Sequence, residues 1–165
     1  MKILMVCLGN ICRSPLAEGI MRSKIQNRNL SAYVESVGTA NYHVGDDADA
    51  RSVEVGRKYG VDISQHRGRQ FVTADFDRFD RIFAMDSANY RNIINKARNE
   101  TDRSKVEMIL NVVDHGSNNE VPDPYYGGSN GFENVYHMLD EACEVIADEI
   151  KKLGATTNLM EDEKI

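Results

Sequence analysis

Residues 6–23 read VCLGNICRSPLAEGIMRS, and the fold turns on where that stretch changes character. Val6 closes a continuous apolar run over residues 2–6, rich in Ile, Leu and Val, which predicts a central parallel strand covered on both faces. Further on, Leu16, Ala17, Ile20, Met21 and Ile25 recur at helical spacing. Ser14 is the expected N-cap and Pro15 stands in the first turn, where a missing N–H is tolerated; Glu18 comes one residue late for a capping box. Between strand and helix lies CLGNICR, a tight connection holding two cysteines, a glycine, an asparagine and an arginine.

The alternation continues outward. Residues 33–37 read as a second strand and 49–59 as a helix stopped by Gly60. Residues 81–85 form a third strand, with Asp86 or Ser87 capping a helix to about residue 98, and 105–110 a fourth. A polar loop over 114–130 precedes a helix with Phe132, Val135, Leu139, Ala142, Ile146 and Ile150 on one face. Strands separated by helices imply right-handed crossovers, so the expected fold is α/β: three α/β/α layers around a parallel sheet, flavodoxin- or Rossmann-like. Ligands in such sheets sit outside the carboxyl ends of the strands, where CLGNICR lies. One domain is expected over residues 1–154, followed by an acidic flexible tail over 155–165.

A chain of 165 residues is long enough to bury one core without disulfide or metal staples. With 26 acidic against 20 basic residues and a net charge of −6, no diffuse basic field is available for nucleic acid, and any bound anion needs local donors. Cys7, Cys12 and Cys143 are odd in number and scattered, which favours a reducing compartment over a disulfide framework. The first residues carry too short an apolar run for a signal segment or a membrane span, so the reading is cytoplasmic, without membrane insertion. His115 and His137 form no metal-spaced cluster, and neither metal nor cofactor is expected.

A loop curling from a strand's end to a helix's start turns backbone N–H groups inward and adds the positive end of the helix dipole, which suits a tetrahedral dianion. The amides of Leu8, Gly9, Asn10, Ile11 and Cys12 would line that cup. Gly9 is expected to take positive φ, and Asn10 tolerates it while bracing the loop. The planar fork of Arg13 matches two phosphate oxygens, and Cys7 is left at the floor facing phosphorus.

The segment CLGNICRS resembles the signature of the low-molecular-weight protein tyrosine phosphatases. Segments at 36–51 (SVGTANYHVGDDADAR), 65–71 (QHRGRQF), 75–86 (DFDRFDRIFAMD) and 123–128 (DPYYGG) resemble that family's segments in the same order, over residues 2–153. The resemblance implies a four-stranded parallel sheet, no metal, a phosphocysteine on Cys7, and Ser14 donating its hydroxyl to that sulfur. It also implies a polar network of Asn10, Ser14, Ser36 and His66 behind the loop.

Complete ionisation of a free thiol of pKa near 8.5 gains at most roughly 30-fold at pH 7, about 2 kcal/mol, so most of the acceleration must come from the amides and Arg13. A phenol leaving group needs a proton, and Asp123, between Pro122 and Pro124, is the expected general acid and then base; without C-x5-R, Asp-Pro would read as an ordinary turn. Tyr125 and Tyr126 follow the acid, and the resemblance places Tyr42 and His43 at the cleft wall, where flat rings would favour phosphotyrosine on a protein partner. Inorganic phosphate and other oxyanions would bind as product or inhibitor, and a tyrosine kinase is a conceivable partner for Tyr125 and Tyr126. Cys12 is close enough in sequence to form a reversible disulfide with Cys7, or is simply packed; Cys143 reads as core. Asp86 reads as a helix cap, with a place near the active site as the lesser alternative. Tyr42 stands where many family members have Trp, and Gly68 where Ala is frequent, pointing to a wider or more mobile cleft wall. The rival readings are an arsenate reductase-like enzyme, disfavoured because no cysteine occurs between Cys12 and Cys143, a phosphocysteine carrier, and a non-catalytic phosphate-binding module.

Overall fold

The computed structural model describes residues 1–128 and 130–162, with side chains through residue 154. Four strands, β1 (Lys2–Cys7), β2 (Tyr33–Gly38), β3 (Arg81–Ala84) and β4 (Val106–Met108), form one parallel sheet in the order β2-β1-β3-β4. The order reverses direction at β1, so its carboxyl end opens at a topological switch point. Period-two alternation sends β1 side chains to two cores. Ile3, Met5 and Cys7 face the layer of α1 (Arg13–Asn27), α2 (Ala50–Lys58) and α6 (Gly131–Asp162). Leu4 and Val6 face a second core with Phe76 of α3 (Asp75–Arg78) and Ile93 of α4 (Ser87–Ile94).

Polar side chains cap the starts of three of the helices, α2, α4 and one that follows α4. Asp49 caps α2 by accepting from Arg51 N at 2.9 Å, and Gly60 follows in the left-handed region at φ 79°. Asp86 caps α4, accepting from Asn89 N at 2.8 Å. α4 stops at Ile94, short of the expected residue 98, because Asn99 caps a separate helix α5 (Glu100–Ser104) by accepting from Asp102 N at 2.9 Å. β4 is shorter than expected, since residues 109–112 coil into a 3-10 turn.

One further expectation gives way. α1 starts at Arg13 with Cys12 at its cap, and Ser14 is not the cap, because its hydroxyl is engaged elsewhere. α6 itself runs through Asp162, over part of the segment read from sequence as an acidic tail. Residues 163–165 lie outside the described residues.

Candidate active site

The connection between β1 and α1 is fixed from outside by its carbonyl oxygens. Those of Cys7 and Leu8 accept from Thr39 N (2.9 Å) and Ala40 N (3.0 Å), just past β2. Asn10 O accepts from His66 Nε2 (2.7 Å), Ile11 O from Asp49 N (2.8 Å), and Cys12 O from the buried hydroxyl of Ser52 (3.1 Å). With its acceptors held outward, the loop is built to present N–H groups inward, above which the N-terminus of α1 adds its dipole. Asn10 N already donates to Cys7 Sγ at 3.3 Å.

Asn10 takes the left-handed turn at φ 57°, whereas Gly9 stays out of that region. An added Cβ at position 9 would meet His43 Cδ2 at 3.1 Å, a tight contact, so the cleft wall packs directly on the loop. Asn10 is almost fully buried and uses its whole amide. Its Nδ2 donates to Ser14 Oγ (2.8 Å) and Ser36 Oγ (3.0 Å), and its Oδ1 accepts from Arg69 N (2.9 Å). Ser14 Oγ lies 3.0 Å from Cys7 Sγ and 3.3 Å from Val37 O, so its single proton has two possible acceptors and swings to the sulfur when that is a thiolate. Because a carbonyl only accepts, His66 carries its proton on Nε2; burial lowers its pKa from the ordinary histidine value, partly countered by that hydrogen bond.

Cys7 is 3% exposed and Arg13 likewise 3%. Arg13 Nη1 is locked by Asp86 Oδ2 (2.7 Å) and Val121 O (3.0 Å), and Nη2 stands 3.6 Å from Asp123 Oδ2. Burial works against the guanidinium's charge, but Cys7, Asp86 and Asp123 outweigh it and raise its pKa above the usual value. Asp123 caps a 3-10 turn, Pro124–Tyr126, accepting from Tyr125 N at 3.0 Å, and remains one-third exposed. Burial first, and then the charge of Asp49, push the Cys12 thiol up to about 12. All three cysteines are free thiols.

One cleft of about 170 Å³ gathers Cys7, Leu8, Gly9, Ile11, Cys12, Arg13, Tyr42, His43, Asp123, Tyr125 and Tyr126. Asn10, Ser14, Ser36 and His66 stand behind it as supports rather than lining. Tyr42 and Tyr126 are the most open rings, and Tyr126 meets Tyr125 edge-on at 5.0 Å. His43 is oriented by Asp46 at 2.9 Å. The wall is not loosened at Gly68: its N–H donates to Asp46 O (2.9 Å), its carbonyl accepts from Gly45 N (2.8 Å), and a Cβ there would collide with His43 O.

Sequence reasoning placed Asp86 at a helix cap and undervalued it. The same carboxylate caps α4 with Oδ1 and holds Arg13 with Oδ2, and its position at the carboxyl end of β3 was the available signal. Val121 O and the pair Asp49–Arg51 were missed, since nothing in local sequence ties them to the cleft. Among the described residues no group of three or more His, Cys, Asp or Glu is placed to hold a metal ion, and no helix is long and apolar enough to cross a membrane.

A family model described as "Low molecular weight phosphotyrosine protein phosphatase" matches residues 2–156. The chain is 44% identical to the Schizosaccharomyces pombe low molecular weight phosphotyrosine protein phosphatase, over 84% of this chain and 89% of that one. It is 36% identical to the Homo sapiens protein of the same description, over 88% and 93%. A crystal structure of protein tyrosine phosphatase from Entamoeba histolytica superposes with a TM-score of 0.86 at 41% identity, covering 92% of this chain and 97% of that one.

Proposed function

This chain belongs to the low molecular weight phosphotyrosine protein phosphatase family and is a protein-tyrosine phosphatase; we propose that it works through a phosphocysteine on Cys7. The Cys7 thiolate attacks phosphorus in line as the aryl O–P bond breaks, while the loop amides and Arg13 hold the equatorial oxygens. Asp123 gives its proton to the departing phenolate. In the second step the Asp123 carboxylate takes a proton from the attacking water, the S–P bond breaks, and inorganic phosphate leaves. The returning thiolate is received by Ser14 Oγ at 3.0 Å and Asn10 N at 3.3 Å.

The observation that carries this reading is the convergence of a buried thiol, a locked guanidinium and a one-third exposed carboxylate on one cleft, with Arg13 Nη2 and Asp123 Oδ2 3.6 Å apart. The rings of Tyr42, Tyr125 and Tyr126 fit a phenyl group entering it. Tyr126, 87% exposed, is open to a tyrosine kinase. An arsenate-reductase relay is disfavoured: Cys143, the third cysteine, is fully buried with its thiol against Ala17 O.

Replacing Cys7 by Ser is expected to abolish turnover of phenyl phosphate while inorganic phosphate still binds, and acid quenching of the unaltered enzyme should trap phosphate on Cys7. A wild-type protein that binds phosphate but turns over no aryl phosphate would make it a binding module instead. Asp123→Ala should lose more rate on phenyl phosphate than on esters of more acidic phenols.

A further inference from the structure

Arg51 sits outside the phosphate-binding loop, yet it links the residue that anchors that loop to the turn that follows Asp123. Its Nε and Nη2 donate to the two oxygens of Asp49, at 3.0 and 2.9 Å, a bidentate pairing within the first turn of α2. That turn is anchored to the phosphate-binding loop: Asp49 N donates to Ile11 O (2.8 Å), and Ser52 Oγ to Cys12 O (3.1 Å). The remaining Nη1 donates across to Tyr125 O at 3.3 Å. The guanidinium also lies over two rings, 5.2 Å from the centroid of Tyr125 and 4.6 Å from that of Phe132 in the first turn of α6. Tyr125 in turn donates its N–H to Asp123 Oδ1 at 3.0 Å.

We infer that Arg51 is a positioning residue: held by Asp49, it fixes the 3-10 turn Pro124–Tyr126 against the loop carrying Cys7 and so sets where Asp123 delivers its proton. This rests on the reading of Asp123 as the general acid. The contacts have the right form for that task, because a planar fork can pair with a carboxylate along one edge, donate to a carbonyl with the third nitrogen, and stack on an aromatic face at once. A lysine ammonium has no such fork. Arg51 is 47% exposed on its side chain and outside both buried cores, so its removal loosens the acid turn without opening the fold.

The test is the dependence of kcat/KM on phenol acidity across a series of aryl phosphates, measured for the wild type, Arg51→Met, Asp123→Ala and the double variant. Arg51→Met should lower kcat/KM on phenyl phosphate by about tenfold, less than the roughly hundredfold or more that a general acid supplies, and by under about twofold on the most acidic phenol. Inhibition by inorganic phosphate should be unchanged. In the double variant, removing Arg51 should cost little more than Asp123→Ala alone, since it acts through that carboxylate. If Asp123→Ala steepens the dependence but Arg51→Met lowers every substrate equally, or if the two losses multiply, the inference is overturned while the assignment of Asp123 stands. If Asp123→Ala leaves the dependence unchanged, the general-acid assignment falls and the role of Arg51 with it.

Discussion

At Gly68 the backbone has no freedom to accept a side chain. Its N–H and carbonyl are both tied to the segment that follows His43, and the space a Cβ would occupy is filled by the carbonyl oxygen of His43. An alanine there must push the wall segment away from the 66–69 strip, and the wall carries Tyr42 and His43 into the cleft. Gly68→Ala is therefore expected to destabilise by about 1–3 kcal/mol and to raise KM for aryl phosphates more than it lowers kcat. Denaturant melts and steady-state kinetics check both; unchanged values would mean the wall yields freely. Gly9 bears on His43 from the other side and less tightly, since its lack of a Cβ lets the ring approach the loop between β1 and α1. Neither role was legible in the sequence, because each depends on a residue more than twenty positions away. What could be read was chemical type. The thiol and the guanidinium stand out because an ordinary turn requires neither, whereas the Asp-Pro carboxylate alone reads as a turn and takes its meaning from C-x5-R.

The elements around the loop act as its frame, and one of their contacts titrates. His66, between α2 and α3, donates Nε2–H to Asn10 O, and burial lowers its pKa from 6.5. The unfolded chain therefore binds this proton more readily than the folded one. The stability tied to neutral His66 is complete above about pH 6.5 and is lost progressively as pH falls through that ordinary value toward the lower folded one. His66→Gln keeps an amide donor near Asn10 O but cannot charge, so its melting temperature should fall less between pH 7.5 and 5.5 than that of the wild type. Parallel slopes in calorimetric scans would remove His66 as the source. Element boundaries were legible where a cap or a left-handed residue punctuates the chain, as at Asp49, Gly60 and Asp86. They were misread where a tertiary partner claims the capping group. Ser14 has the chemistry of an N-cap, but Asn10 and Cys7 engage its hydroxyl. α4 ends at Ile94 rather than near residue 98, and Asn99 caps the separate helix α5.

Over the whole molecule, the site and the surface have opposite electrostatic characters. The cleft is lined by Arg13 at the N-terminus of α1, a setting that favours an anion, while the chain as a whole carries a net charge of −6. Attraction inside the cleft acts over a few ångströms in a partly desolvated space, where salt screens it weakly. Repulsion from the surface acts at the longer range that governs encounter, and it fades beyond a Debye length of about 10 Å at 0.1 M salt. The two can be separated by substrate charge. For a phosphotyrosine peptide with flanking Asp and Glu, kcat/KM should rise as salt increases from about 0.02 to 0.2 M, because screening removes repulsion. For a peptide with flanking Lys and Arg it should fall over the same range, because screening removes attraction. If both fell together, cations of the cleft would be dominating the approach, and net charge would have no part in selecting the partner. If they diverge as expected, the acidic surface favours phosphotyrosines that lie in basic sequence, a preference set by residues that never touch the phosphate.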